Sequence, residues 1–454
     1  MQHYTSHTTG RATFAMTSDK HSSFASPVQL NAPTESLRHL TQQTYALVLA
    51  GGRGSRLMQL TDWRAKPAMP FAGKLKIIDF PLSNCVNSGI RRVGVLTQYK
   101  AQSLIRHIER GWGFLEASLG EYIDVVPAQQ QVDDGWYCGT ANAVFQNLHL
   151  LREAKAKHVL ILAGDHVYKM DYSRMLADHI NHGAEVTVAC IEAPINEAQG
   201  YGVMRVDASR RITSFEEKPT HPETIPSDPN RVLASMGIYL FNAALLYEEL
   251  ERDASNPNSS HDFGRDVIPY LVAKYPVHAH RYVDSCVNMV GDRPYWRDVG
   301  TVDAYWEANM DLIQIVPELN LYDDDWPIRS LQYQLPPAKF LFDSGDRRGT
   351  ALDSLISSGC IVSGATVRRS VLFSKVSVAE HSLVEDSVLL PNVKVGRHVT
   401  LKRVILDKGC TLPDGFKAGV YPEEDRGHFH VTERGVTLIT YEMLNQGVRS
   451  SGGA

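Results

Sequence analysis

The segment YALVLAGGRGSR, from Tyr45 to Arg56, joins an apolar run directly to three glycines within four positions. Glycine lets the backbone bring its N–H groups close to an anion, and Arg53, Arg56 and Lys66 add positive charge. The spacing matches neither the ATPase phosphate loop nor the dinucleotide-binding fingerprint. A glycine-rich turn without a ligand is the alternative, but the nearby cations favour a phosphate-binding loop. Its phosphate-binding residues would be Gly51, Gly52, Arg53, Gly54 and Lys66.

Length and composition set broad limits on the class of protein. The 454 residues exceed what one hydrophobic core usually organises, so we expect two domains. Apolar content of 43% and charged content of 21% are typical of a soluble globular protein. The net charge of −5 argues against nucleic-acid binding, and no apolar stretch is long enough to span a membrane. Six cysteines without a C-x-x-C pair predict reduced thiols and a cytoplasmic location.

Residues 43–315 alternate short apolar runs with helical patterns, which predicts a catalytic domain of the α/β class. Nearly every residue is apolar in VGVLT (93–97), HVLILAGD (158–165) and EVTVACIEA (185–193). Strands that helices cover on both faces have this composition, so we expect a mostly parallel sheet. Ligands of such sheets bind beyond the carboxyl ends of the strands.

Changes of composition mark the remaining boundaries. Residues 1–42 are rich in Ser, Thr and His and predict a disordered N-terminal extension, with an organelle transit peptide as the competing interpretation. Residues 316–350 predict a surface linker because prolines break the pattern. These prolines are Pro317, Pro327, Pro336 and Pro337.

Residues 351–454 have a different sequence pattern, in which apolar residues recur about every six positions. The residues that follow this period are Ile361, Val367, Val393, Val399 and Ile405. A six-residue period is typical of a parallel β-helix, and an antiparallel sandwich is the alternative. The period is lost between Val367 and Val388, where we expect loops.

Two aspartates follow strand-like runs and are candidate metal ligands. Asp165 ends HVLILAGD, and Asp298 lies in YWRDVGT. Two carboxylates facing a phosphate-binding loop suit Mg²⁺, although Asp165 by itself could be a helix cap. No Ser-His-Asp order, H-E-x-x-H or catalytic cysteine signature is present. Catalysis would therefore depend on positioning and on charge neutralisation by metal, Lys and Arg.

Further polar residues predict a pocket for a phosphorylated sugar. Glu217 and Lys218 in EEKP follow a strand-like run, although a solvated ion pair would explain them equally well. Tyr137 in WYCGTA could stack on a ligand or pack in the core. Ser235 in LASMGIY could donate a hydrogen bond to a sugar or a phosphate.

In order along the chain, LAGGRGSRL, RAKPA, WYCGTA, LAGDHVY, EEKP, LASMGIY and YWRDVGT resemble the motifs of the sugar-nucleotide pyrophosphorylase family. IIDFPLSNCVNSGIRR (77–92) and SSHDFGRDVIP (259–269) are similar to the bacterial ADP-glucose pyrophosphorylases within it. The likeness runs from about residue 44 to the C-terminus. It implies a Rossmann-like nucleotidyltransferase domain followed by a C-terminal left-handed parallel β-helix.

The resemblance also implies an activity and residue roles. ATP and α-D-glucose 1-phosphate would react to ADP-glucose and diphosphate, the committed step of glycogen biosynthesis, with Mg²⁺ as cofactor. Catalysis would involve Arg53, Lys66 and Asp165, and the metal ligands would be Asp165 and Asp298. The glycine loop with Arg53 and Lys66 would bind the nucleotide phosphates. The residues implied to contact glucose 1-phosphate are Tyr137, Gly202, Glu217, Lys218 and Ser235.

Enzymes of this kind are homotetramers whose small phosphorylated effectors bind between the two domains. The sequence departs from the enteric pattern there, because Trp63 and Pro70 stand where a lysine and a histidine are expected. Positive charge remains at the candidate allosteric residues Arg64, Lys76 and Lys408.

Three other functions compete with this interpretation. One is a pyrophosphorylase for another nucleotide sugar, and another is a non-catalytic regulatory subunit of the same fold. The third is acyl transfer by the β-helix, with His381 or His398 as the candidate catalytic histidine.

Overall fold

The computed structural model describes residues 34–52, 54–129, 136–291 and 293–445. Of the predicted disordered extension, residues 1–33 lie outside the described residues. Thr34–Gln42 form a helix, so the prediction of disorder is wrong for that segment. The physical reason is tertiary, because Leu40 packs against the core and Thr41 is buried.

The catalytic domain alternates strands and helices as predicted. Its strands are β1 (Thr44–Ala50), β2 (Pro70–Phe71), β3 (Leu75–Lys76), β4 (Arg92–Thr97), β5 (Tyr122–Pro127), β6 (His158–Ala163), β7 (His166–Tyr168), β8 (Val186–Pro194), β9 (Gly202–Val206), β10 (Ile212–Glu217), β11 (Arg231–Asn242), β12 (Val277–Arg281) and β13 (Trp296–Asp298). Its helices are α1 (Thr34–Gln42), α2 (Asp79–Asn87), α3 (Gln102–Gly111), α4 (Thr140–Phe145), α5 (Leu148–Glu153), α6 (Tyr172–Asn181), α7 (Ala243–Ala254), α8 (Ile268–Lys274) and α9 (Val302–Asp311). Within the described residues, no helix has the length and apolar character needed to cross a membrane.

Nine of the thirteen described strands of this domain form a mixed sheet that orients the candidate site, and β2–β3 and β7–β13 form two separate two-stranded sheets. Strands run in the order β10-β9-β11-β6-β1-β4-β5, and β8 pairs with both β11 and β12. β6, β1, β4 and β5 are mutually parallel, whereas β11 is antiparallel to β6. The carboxyl ends of β1 and β6 therefore lie side by side, and the glycine loop and Asp165 extend from this one edge.

The second domain is a parallel β-helix, which confirms the predicted fold class. Its strands are β14 (Lys339–Leu341), β15 (Asp343–Ser344), β16 (Arg347–Arg348), β17 (Thr350–Leu352), β18 (Leu355–Ile356), β19 (Ile361–Ser363), β20 (Thr366–Arg368), β21 (Val371–Leu372), β22 (Ser377–Val378), β23 (Leu383–Glu385), β24 (Val388–Leu389), β25 (Lys394–Val395), β26 (Thr400–Lys402), β27 (Val404–Leu406), β28 (Thr411–Leu412), β29 (Lys417–Ala418), β30 (His430–Val431) and β31 (Thr437–Ile439). A short helix, α10 (Pro422–Arg426), precedes the last two strands. The three long sheets are β14-β19-β22-β25-β28, β17-β20-β23-β26-β29 and β18-β21-β24-β27-β31-β30.

The geometry of the coils corrects two sequence-based expectations. Thr366 pairs with Leu383 and Leu383 with Thr400, so successive coils are 17 residues apart rather than 18. Three repeats of six residues make 18, so a strict six-residue pattern falls out of register by one residue in each coil of 17. This explains why the pattern was lost where loops were expected. That region contains β21, β22 and β23. The first strand of the coils begins at Lys339, so the linker is shorter than 316–350.

The two domains share a hydrophobic core. Phe71 and Tyr305 from the catalytic domain belong to the same buried cluster as Phe373 and Ile405 from the β-helix. Trp306 adds a polar contact, because its Nε1 donates a hydrogen bond to the Asp386 carbonyl at 2.8 Å. This continuous packing fixes the β-helix against the catalytic domain.

Candidate active site

The glycine loop begins where β1 ends. Gly51 and Gly52 follow Ala50, and Gly54 adopts a left-handed conformation with φ of +64°. A Cβ on Gly54 would lie 3.1 Å from Cβ of Lys66 and 3.2 Å from Cγ2 of Thr61. Glycine is needed at position 54 for its backbone conformation and for this close approach. Arg53, the predicted catalytic and nucleotide-binding arginine, lies outside the described residues.

Strand pairing brings the two predicted metal ligands together. Asp165 lies in the turn between β6 and β7. β13 pairs antiparallel with β7, which places Asp298 directly opposite His166. Two residues that are 133 positions apart (298 − 165) thus meet at the edge of the sheet.

Lys66 lies between these two carboxylates. Its Nζ is 2.8 Å from Oδ2 of Asp165 and 2.5 Å from Oδ1 of Asp298, and its side chain is only 6% exposed. Burial lowers the pKa of Lys66, but the charges of Asp165 and Asp298 outweigh it and raise this pKa above its ordinary value. Burial raises the pKa of Asp165, yet Lys66 and His166 lower it to about 2. Lys66 and Asp165 therefore carry opposite charges near neutral pH, and the Lys66 ammonium contacts both carboxylates in one cluster.

The same geometry shows that the carboxylates fit a divalent cation. The Lys66 ammonium is a cation that contacts one oxygen of each aspartate, so Asp165 and Asp298 can converge on a single positive charge. Both side chains keep some exposure, at 33% and 20%. One or two carboxylates with open positions for water and phosphate are typical of Mg²⁺ sites.

Glu217 forms a second polar centre at the end of β10. Its residue pairs with Gly202 of β9, and a Cβ on Gly202 would lie 2.9 Å from Oε2 of Glu217. A Cβ on Gly264 would approach the same oxygen to 2.5 Å. Because neither glycine has a side chain, the Glu217 carboxylate has room to lie between them. Asp262 holds the second glycine in place by accepting hydrogen bonds from the N–H groups of Gly264 and Arg265 at 2.9 and 3.1 Å.

Lys218 lies beside this carboxylate. Its Nζ is 3.0 Å from Oε1 of Glu217, and its backbone is left-handed with φ of +51°. Its N–H donates to the carbonyl of Tyr201 at 3.0 Å, and the Tyr201 ring lies 5.2 Å from the ring of Trp296. Because Trp296 begins the strand that ends at Asp298, this chain of contacts connects the glutamate and the paired aspartates.

The remaining predicted sugar-site residues have mainly structural contacts. Tyr137 packs against the core, and its hydroxyl accepts a hydrogen bond from Nδ2 of Asn147 at 2.9 Å. Ser235 is buried, and its Oγ accepts a hydrogen bond from the Gly237 N–H at 3.2 Å. A role for either residue in sugar binding stays a prediction.

Sequence reasoning missed Gln98, which the structure places between two parts of the site. It follows β4, and a Cβ on Gly51 would lie 3.2 Å from its Cβ. Its Nε2 donates to the carbonyl of Tyr137 at 3.3 Å. In the sequence, only its position at the carboxyl end of a parallel strand could have indicated that Gln98 lies at the site.

The predicted allosteric residues line a cleft of about 1160 Å³ between the domains. The described residues that line it include six cations and no carboxylate. The six are Arg64, Lys74, Lys76, Arg106, Lys375 and Lys408. Burial lowers the pKa of Lys76 to about 8, and the positive charges of Arg64 and Lys408 add to this effect, whereas Asp79 opposes it. Such a cleft suits a small anion.

Arg64 and Trp63 anchor one wall of this cleft to the β-helix. Nη2 of Arg64 donates to Oδ1 and Oδ2 of Asp407 at 2.6 and 2.9 Å, and both side chains are buried. Nε1 of Trp63 donates to Oε1 of Glu442 at 2.8 Å. The cleft therefore includes charges already engaged in joining the domains.

The two candidate acyl-transfer histidines lie on adjacent coils of the β-helix. The rings of His381 and His398 stack with centroids 4.9 Å apart. Nδ1 of His381 is 3.7 Å from Oδ2 of Asp346.

The glycine loop, the paired aspartates and the lysine between them define a nucleotidyl transferase site. In agreement, the family model for nucleotidyl transferases matches residues 45–315, and the model for the GlmU-like C-terminal hexapeptide domain matches residues 336–439.

Curated relatives narrow the class further. A glucose-1-phosphate adenylyltransferase of Nitrosospira multiformis is 61% identical over 92% of this chain and 99% of its own. One of Methylobacillus flagellatus is 63% identical over 90% and 95%, and one of a Shewanella species is 56% identical over 90% and 97%. The chain belongs to the glucose-1-phosphate adenylyltransferase family, another name for the ADP-glucose pyrophosphorylases.

Proposed function

We propose that this enzyme transfers the adenylyl group of ATP to α-D-glucose 1-phosphate, giving ADP-glucose and diphosphate, the committed step of glycogen biosynthesis. The observation that carries the proposal is the convergence of Lys66, Asp165 and Asp298 beside the glycine loop. The near full-length identity to relatives of this name supports the choice of substrates. The intact charged cluster argues against a non-catalytic subunit.

The reaction needs little covalent chemistry from the protein. An oxygen of the sugar phosphate forms a bond to the α-phosphorus while the bond to the β-phosphate breaks and diphosphate leaves. The attacking oxygen is already ionised, so no side-chain base is required. Lys66 would neutralise the nucleotide phosphates and Lys218 the sugar phosphate, which orients the two anions without mutual repulsion.

We propose Mg²⁺ as the cofactor, with Asp165 and Asp298 as its protein ligands. Bound there, the ion would neutralise the charge that develops on the transferring phosphoryl group. Glu217, which has space between two glycines, would accept hydrogen bonds from sugar hydroxyls. The homotetramer implied by the sequence resemblance stays a prediction.

We further propose that a small phosphorylated effector binds in the cationic cleft between the domains. The surroundings of Lys76 support this proposal. Among the described residues, its Nζ donates one hydrogen bond, to the carbonyl of Ser103 at 3.1 Å. Trp63 offers no charge, so the cleft should favour an effector with one phosphate over one with two.

The first prediction concerns the nucleotide. With glucose 1-phosphate and Mg²⁺, diphosphate release should be faster with ATP than with UTP, dTTP or GTP, because the family-specific segments indicate adenine. Initial rates with the four nucleotides at equal concentration measure this preference. A preference for UTP or dTTP would contradict the adenine assignment.

The second prediction concerns the metal ligand. Asp165→Asn should lower kcat by at least about 100-fold, which corresponds to about 2.7 kcal/mol of barrier. The amide keeps the shape but removes the charge that holds the metal. The control is Asp346→Asn, at a side chain that is 91% exposed on the β-helix, which should keep parental activity. Near-parental turnover of Asp165→Asn at saturating Mg²⁺ would remove Asp165 from this role.

The third prediction separates the two substrates. Lys218→Ala should raise KM for glucose 1-phosphate by at least about tenfold and change KM for ATP much less, because its charge neutralises the sugar phosphate. Lys155→Ala is the matched control, since Lys155 is an exposed lysine with a similar left-handed φ of +49°. Equal losses for ATP and glucose 1-phosphate would instead indicate a disrupted pocket.

The fourth prediction concerns the effector. The parent should respond more strongly to fructose 6-phosphate than to fructose 1,6-bisphosphate, and Trp63→Lys should shift the preference toward the bisphosphate. Initial rates against effector concentration for both proteins measure the shift. Strong activation of the parent by micromolar bisphosphate would show that position 63 does not determine the choice.

A further inference from the structure

The segment SSHDFGRDVIP (259–269) joins two sides of the candidate sugar site. On one side, a Cβ on Gly264 would lie 2.5 Å from Oε2 of Glu217, so the segment packs directly against this carboxylate. On the other side, Oγ1 of Thr140 donates a hydrogen bond to Oδ2 of Asp262 at 3.0 Å. The segment therefore sets the distance between Glu217 and the part of the chain that contains Thr140.

The backbone of His261 holds the loop WYCGTA (136–141) against this segment. The carbonyl oxygen of His261 accepts hydrogen bonds from the N–H groups of Ala141 and Asn142 at 2.8 and 3.3 Å. A Cβ on Gly139 would lie 2.3 Å from the same oxygen, so a side chain there would block the contact. The loop and the segment are therefore in close backbone contact at His261.

His261 has an uncommon backbone conformation. Its φ is +55°, in the left-handed region that residues other than glycine rarely adopt. Nδ1 of His261 donates to Oδ2 of Asp253 at 2.9 Å, and Oγ of Ser259 donates to Oδ1 of the same carboxylate at 2.7 Å. The His261 N–H donates to Oγ of Ser259 at 2.9 Å. These three hydrogen bonds offset the cost of the left-handed conformation.

Asp253 gives this arrangement a fixed anchor. It lies in the last turn of α7, and its side chain is only 3% exposed. A buried carboxylate is costly unless hydrogen bonds satisfy it, and His261 and Ser259 each supply one, to different oxygens. The Asp253–His261 pair therefore favours the backbone conformation in which the His261 carbonyl meets the loop.

We infer that Asp253 and His261 are positioning residues for the sugar phosphate. Their pair holds the loop that carries Tyr137 at a set distance from Glu217, so that both residues can contact one ligand. The inference rests on the proposed function and on the predicted contacts of Tyr137 and Glu217 with glucose 1-phosphate. The two paired side chains bond to each other, so they act through the loop and take no part in the transfer step.

The test compares His261→Gly with His261→Asn. Glycine adopts the left-handed backbone but removes the hydrogen bond to Asp253, whereas asparagine tolerates this backbone and places a side-chain N–H group near the position of Nδ1. His261→Gly should raise KM for glucose 1-phosphate by at least about tenfold and change kcat and KM for ATP less than about threefold, because a loop held in place for less of the time lowers the apparent affinity. His261→Asn should stay within about threefold of the parent in all three constants.

Amide hydrogen exchange without substrates gives a readout that does not depend on the reaction. The N–H groups of Ala141 and Asn142 should exchange faster in His261→Gly than in the parent, because the carbonyl that protects them is no longer held. His261→Asn should keep the parental exchange. Lys155→Gly controls for the backbone change, since Lys155 is exposed with φ of +49°, and it should match the parent in kinetics and exchange.

Circular dichroism checks the fold, and Ser259→Ala, which removes two of the three hydrogen bonds, decides the question if His261→Gly fails to fold. Faster exchange with an unchanged KM for glucose 1-phosphate would overturn the inference, as would equal behaviour of His261→Asn and His261→Gly. If the parent has no turnover with ATP and glucose 1-phosphate, the proposed function is wrong. The exchange comparison then decides by itself whether the pair holds the loop, and parental exchange in His261→Gly would overturn the inference.

Discussion

The ion cluster of Lys66, Asp165 and Asp298 is the constraint on which the catalytic domain depends. A buried ammonium is costly unless opposite charges meet it, and here two carboxylates do so at 2.8 and 2.5 Å. Each charge comes from a different segment, so the cluster exists only when the end of β6, the β13–β7 pair and the 3₁₀ turn that begins at Lys66 are all in register. The candidate phosphate site is therefore complete only in the folded sheet.

The β-helix contacts the segment that precedes Lys66. Arg64 lies two positions before Lys66, and its Nη2 donates to both carboxylate oxygens of Asp407 in a buried ion pair. The shared hydrophobic core extends this contact from the domain boundary into both domains. The contact between the domains and the lysine of the candidate active site therefore lie in one short segment of the chain.

Many features could be predicted because they depend on local pattern. The glycine loop follows a strand in the sequence, and the apolar runs identify strands covered on both faces. Other features needed long-range contacts. Because each coil has 17 residues, a search for a six-residue period did not detect part of the β-helix. The helix α1 forms in a segment of ordinary polar composition because Leu40 packs against the core. Gln98 has no motif of its own, so only the sheet identifies it.

The sequence by itself determined the two domains, the α/β class, the β-helix, the candidate phosphate loop and the two aspartates, since each is encoded in residues that are adjacent or regularly spaced. The tertiary structure alone decided which of these side chains meet. It placed Lys66 between Asp165 and Asp298, and it brought Asp298 opposite His166, 132 positions away (298 − 166). The physical reason is that pairing between distant strands sets these distances, and strand pairing is a property of the folded sheet.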